Sequence, residues 1–121
     1  EEVCKSAYND ARTQNLEATF FLLQEAVKKM KTGTIISLTD TCTNKFYKNF
    51  VPYCLAKAGI ESILKRVKHL LPKNLKVKTF SPYLTGKHKN MDKNVWNKLA
   101  NKAIDSKQIA RQIISKTNSA I

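Results

Sequence analysis

Tyr53 and Lys57 stand four residues apart in the segment Val51-Pro52-Tyr53-Cys54-Leu55-Ala56-Lys57. On a helix that spacing puts both side chains on one face. An ammonium beside a phenol favours the phenolate. It is expected to lower the tyrosine pKa from its ordinary ~10 toward a range useful for proton transfer. The same spacing also suits a partly buried tyrosine beside a snorkelling lysine, so the pair alone assigns no role. The three cysteines, Cys4, Cys42 and Cys54, form no CxxC and have no histidine at zinc spacing. They read as reduced thiols, with Cys42 open to exposure and no base beside it in the sequence.

The elements that must position Tyr53 and Lys57 follow from the period of the apolar residues. A long helix is expected from Glu2 to about Met30, with Leu16, Phe20, Leu23 and Val27 as its buried stripe and Gly33 closing it. Thr34–Thr39 is short and β-branched and reads as a buried strand, followed by a polar, irregular stretch from Asp40 to Asn49. A helix then starts near Val51, with Pro52 in its first turn, and runs through Ile60, Leu64 and Val67 to Leu71 before Pro72. Leu75–Phe80 alternates as a second strand, and Ser81–Gly86 is a loop. Two helices finish the chain, at about Asp92–Ala103 and Ser106–Lys116, the latter with Ser106 as N-cap. Strands alternating with helices imply βαβ units and a parallel sheet. Two strands make a poor sheet, so the chain reads as part of an α/β domain.

Composition narrows the function classes. The 121 residues fit one domain, a single partial one over 1–121. With 42% hydrophobic residues the chain is too apolar for wholesale disorder, and three glycines and three prolines exclude a collagen-like design. No apolar run approaches the roughly 18 residues of a membrane span, and Glu1-Glu2 does not read as a signal peptide. A soluble, cytoplasmic chain with no membrane partner is expected. The net charge of +13 comes from 22 Lys and Arg, of which only Arg12, Arg66 and Arg111 are arginine. Lysine lacks the bidentate fork favoured for phosphates and base edges, so the excess reads as a solvated surface rather than a nucleic-acid site.

Gly33-x-Ile35-Ile36-Ser37, then Tyr53-x-x-x-Lys57-Ala58, then Lys76-Val77 leading to Pro82, together with Asn15–Leu22 upstream, resemble the C-terminal half of the short-chain dehydrogenase/reductase family. The resemblance implies the second half of a Rossmann-like, doubly wound parallel sheet. Ligands bind at the C-terminal ends of such strands. Most of that family is expected to carry serine thirteen residues before the tyrosine. Asp40 stands there, which resembles the pteridine reductase and dihydromonapterin reductase branch.

The resemblance implies these roles. Tyr53 protonates the reduced centre, and Lys57 lowers its pKa and binds the nicotinamide ribose. Asp40 orients substrate and supplies protons. Asn15 holds a water linking Lys57 to solvent. Pro82 opens the loop beside the nicotinamide, with Thr85 as a cofactor contact, although Tyr83 replaces the usual glycine. Tyr83–Met91 forms a lid, and Tyr83 or Trp96 stacks on substrate. The cofactor is NADP or NAD, the substrate a small molecule such as a pterin. Dimers or tetramers would pair through the Asn15–Met30 and Val51–Leu71 helices, which equally suit packing within a monomer.

Alternatives stand beside each role. Asp40 caps a turn while Ser37 takes the serine role in a non-pterin carbonyl reductase, and Trp96 packs between helices. The glycines Gly33, Gly59 and Gly86 are too far apart for a pyrophosphate loop. The nucleotide-binding half is therefore expected from missing sequence or from a complementing N-terminal chain. A rival function is a non-catalytic basic binding module on a degenerate Rossmann half, using Lys65-Arg66-Lys68 and Lys87–Lys93.

Overall fold

The computed structural model describes residues 3–43, 50–83, 85–87 and 91–118. The long first helix is interrupted. Helix α1 (Lys5–Ala11) passes through a π-helical turn at Arg12–Glu17 into α2 (Ala18–Lys29). Within the π turn the Asn15 Nδ2 donates to the Ala11 carbonyl, four residues back, at 3.2 Å. The expected stripe survives only in part. Leu23 is buried, and Leu16 and Val27 pack against the core, but Phe20 is 42% exposed and meets Phe21 edge-on at 5.3 Å. Met30 caps the helix in an extended conformation. Gly33, at φ +113°, opens the next strand instead of closing the helix.

Strand β1 (Gly33–Leu38) pairs in parallel with β2 (Leu75–Phe80), residue for residue from Gly33–Leu75 to Leu38–Phe80. Between them, after a 3-10 turn at Thr41–Thr43, runs α3 (Val51–Val67). Helix α3 ends four residues before Leu71. Past Val67 the bonds tighten to three-residue spacing, with His69 N–H to the Arg66 carbonyl and Leu70 N–H to the Val67 carbonyl. Helix α4 (Lys93–Leu99) is capped by Asp92, whose carboxylate accepts from the Asn94 and Val95 N–H groups. It passes into a 3-10 turn at Ala100–Lys102. Helix α5 (Ser106–Asn118) takes its first backbone bond at the Asp105 carbonyl, so Asp105 precedes the helix and Ser106 is its first residue.

The core is formed by Leu23, Ile60 and Leu64, with Ile35 and Val77 of the sheet against it. That places α2 and α3 over one sheet face. Lys78, pointing the other way along β2, donates to the Lys116 carbonyl, while the Lys116 ammonium donates to the Thr79 carbonyl. Helix α5 therefore covers the opposite face. Strand β1 is half-buried along most of its length rather than buried, because the described sheet has only two strands. The fold is α/β, built on a small parallel sheet with helices on both faces.

Candidate active site

The C-terminal end of β1 delivers Asp40 to the first turns of α3. Thr39 extends the sheet by one further bond, its N–H donating to the Phe80 carbonyl at 2.9 Å. The chain then turns at Asp40, whose Oδ1 accepts the Cys42 backbone N–H at 2.9 Å, two residues on. This turn aims the second carboxylate oxygen at α3. The Tyr53 hydroxyl donates to Asp40 Oδ2 at 2.8 Å. Asp40 thus caps a turn through one oxygen, as the alternative reading expects, and accepts from the phenol through the other.

Lys57 lies on the same face of α3, its Nζ 5.6 Å from the centre of the Tyr53 ring. The expected co-facial pair is present, and the electrostatic outcome is the reverse of the expectation. Burial pushes the Tyr53 pKa above its ordinary value, and donation to the Asp40 carboxylate pushes it in the same direction. The ammonium sits over the ring, while an anion faces the hydroxyl. At neutral pH Tyr53 is a neutral phenol that keeps its proton and donates a charge-assisted bond.

Cys42 is buried, not exposed, and a carboxylate does stand beside it. Burial, ahead of the influence of Cys54 and Asp40, pushes its thiol pKa up. On the far side of the turn, the Thr43 hydroxyl lies 3.1 Å from the Asp40 carbonyl and 3.0 Å from Glu61 Oε1. Asn15 sits in the π turn against α3. There Gly59 allows a close approach, since a β-carbon on it would lie 2.9 Å from Leu16 Cδ1.

Tyr53, Lys57 and Asp40 are brought together. Ser37 lies opposite Thr79 within the sheet, and the phenol's recorded partner is Asp40. Pro82, Tyr83 and Thr85 follow β2, with Pro82 and Tyr83 half-buried and Thr85 exposed, and Trp96 is half-buried on α4. The lid expected over Tyr83–Met91 includes 84 and 88–90, outside the described residues, as are Lys89 and His88 of the basic stretch.

One pair escaped the sequence reading: the Thr39 and Ser81 hydroxyls meet at 2.5 Å. The signal was there, because each follows the last residue of a strand and the strands are in register at Leu38–Phe80. An open hollow of about 340 Å³ lies away from Tyr53, between α1 and α3, lined by Val3, Lys5, Tyr8, Val51, Pro52 and Leu55. Among the described residues no group of three or more His, Cys, Asp or Glu could hold a metal, and no helix is long and apolar enough to cross a membrane.

No family model matches the sequence, and no curated protein sequence does. Solved structures do match. FolM alternative dihydrofolate reductase 1 from Brucella canis, complexed with NADP, superposes with a TM-score of 0.84 at 13% identity, over 98% of this chain and 50% of that one. An apo SCOR enzyme from Clostridium thermocellum gives 0.79 at 16% identity, over 98% and 49%. LugOII, a promiscuous reductase that catalyses keto-reduction at C1 during lugdunomycin biosynthesis, gives 0.63 at 30% identity, over 69% and 34%. The chain spans half the length of these structures or less. The likeness over nearly the whole chain identifies the fold as part of a Rossmann-like α/β unit.

Proposed function

We propose that this chain is the proton-transfer half of an NAD(P)H-dependent reductase of the short-chain type, with Tyr53 as the proton donor. The observation that carries the reading is the 2.8 Å bond from the Tyr53 hydroxyl to Asp40, at the end of a parallel strand, with Lys57 over the same ring. A protonated phenol suits reduction, where the substrate must gain a proton. Asp40 faces that hydroxyl and would re-protonate it or orient the substrate. Lys57, one helical turn on, would hold the ribose hydroxyls of a bound nucleotide.

The chemistry of these donors fits the nicotinamide end of NADP or NAD, which when bound would supply the hydride. The pyrophosphate end has no match, since Gly59 is packed against Leu16 and no glycine-rich turn exists. Remaining sequence or a complementing chain would supply that half. Pro82 and Thr85 would border the nicotinamide. Tyr83 and Trp96 would offer stacking faces to a flat ring.

Asp40 in place of serine favours a pterin-type substrate over a simple carbonyl. The likeness to a dihydrofolate reductase structure supports the same choice. Assembly would use the apolar residues that α2 and α3 leave exposed, Phe21, Leu22 and Leu55, against a second copy. The three free thiols suit a reducing compartment such as the cytoplasm.

The test is NADPH oxidation by the full-length protein with a dihydropterin and with a quinone, before and after Tyr53→Phe. Loss of turnover by at least 100-fold with NADPH affinity retained is the expected result. Undiminished turnover in Tyr53→Phe would remove the mechanism. Turnover of the quinone alone would remove the pterin preference.

A further inference from the structure

We propose that the end of the sheet at which both strands begin is a docking surface for an anionic lipid bilayer. Strands β1 and β2 start side by side, Gly33 opposite Leu75, with the Gly33 N–H donating to the Asn74 carbonyl at 2.9 Å. Residues 30–32 join α2 to β1 and residues 68–74 join α3 to β2, so both helix C-termini and both connections share that end. Lys29, Lys31, Lys65, Arg66, Lys68 and Lys73 are all exposed there. Stretches 26–39 and 62–91 contain no Asp or Glu. Of the two flanking acids, Glu25 holds Lys28 at 2.7 Å and Glu61 takes the Thr43 hydroxyl at 3.0 Å. Cations in a last helical turn answer the negative helix end, which accounts for Lys29, Lys65 and Arg66. Lys31 and Lys73 lie beyond the helices, where that account does not reach.

Leu70 decides between polyanions. It is 81% exposed between Lys68 and Lys73, with Leu71 half-buried and Pro72 exposed beside it. An exposed leucine gains nothing from a phosphate backbone. At a bilayer it enters the boundary between headgroups and acyl chains while the flanking lysines meet lipid phosphates and carboxylates. A nucleic-acid surface would instead use arginine forks or aromatic faces for the bases. Stretches 26–35 and 62–76 contain no Phe, Tyr or Trp, and their one arginine, Arg66, folds back onto Ser62 of its own helix. Such docking is peripheral and needs no spanning helix. From Tyr53 to Arg66 α3 rises about 20 Å, so the Asp40–Tyr53 site stands at the far end from the lipid. The inference does not rest on reductase chemistry, and its readout is binding rather than turnover.

The experiment is cosedimentation of the full-length protein with vesicles of phosphatidylcholine alone or with about 30% phosphatidylserine, at about 50 and about 300 mM salt. The expected result is binding to the anionic vesicles only, weakened at least about tenfold at the higher salt. Lys68→Glu with Lys73→Glu is expected to lose at least about 25-fold, at about fivefold for each lysine charge removed. Leu70→Ser is expected to lose about tenfold. Lys5 lines the hollow beside Val51, Pro52 and Leu55 at the opposite end of α3, and Lys5→Glu is expected to lose less than about twofold. Equal binding to both kinds of vesicle, or to neither, would overturn the proposal. So would a loss in Lys5→Glu as large as in Lys68→Glu alone, which would make bulk charge the cause. Tighter binding to a mixed-sequence oligonucleotide, unchanged in Leu70→Ser, would make this end a nucleic-acid surface instead.

Discussion

Removing the Tyr53 hydroxyl and the Asp40 carboxylate, singly and together, isolates the bond between them. A hydrogen bond to an ionised acceptor contributes about 1.5–3 kcal/mol. Tyr53 is half-buried, so water screens part of this, and about 1.5–2 kcal/mol of coupling is expected. Asp40→Ala also loses the bond from the Cys42 N–H, but that loss is common to both alanine chains and cancels in the cycle. The assay is urea unfolding of the wild-type, Tyr53→Phe, Asp40→Ala and doubly substituted full-length proteins, read as stability at fixed pH near 7. Independent sites add to within about 0.5 kcal/mol. A coupling below that would mean that the phenol and the carboxylate do not share a bond in solution, and the reading of Tyr53 as a held donor would go with it.

Two further outcomes follow from the same geometry. The folded chain holds the Tyr53 proton more tightly than the unfolded chain, so above the ordinary tyrosine value near ~10 the unfolded chain ionises first. The contribution is complete below that pH and is lost as pH rises beyond it. Tyr53→Phe should flatten this alkaline loss in denaturant titrations, and an unchanged slope would contradict the raised pKa. Gly59→Ala gains about 1 kcal/mol of helix propensity but places its methyl 2.9 Å from Leu16 Cδ1, an overpacking that costs about 1–3 kcal/mol. A net loss of about 1 kcal/mol is expected by thermal melting. In a Leu16→Ala background the sign should reverse, and the same loss in both backgrounds would refute the contact.

The local patterns in the sequence translate well. Leu75–Phe80 is a strand at the expected bounds, β1 is offset by one residue, and the four-residue spacing of Tyr53 and Lys57 does put them on one face. What escapes local pattern depends on partners distant along the chain. The 4-3-4 spacing of Leu16, Phe20, Leu23 and Val27 reads straight through the π turn, because apolar period carries no record of a widened backbone ladder. The direction of the Tyr53 shift needs the carboxylate across from the hydroxyl. That is set by how the Asp40 turn lies on α3, while the adjacent lysine is the neighbour that sequence makes visible.

Asp40 divides its two oxygens between the Cys42 backbone and the Tyr53 phenol. At rest, then, the Tyr53 hydroxyl is already engaged. Any guest that takes up the phenol does so by exchange, displacing a carboxylate that must find another donor, on the guest or in water. Affinity at this position measures the difference between two bonds, not the strength of one. A guest presenting an acceptor to the phenol and an N–H to the released carboxylate leaves neither unmet, and an amino-substituted heterocycle has both.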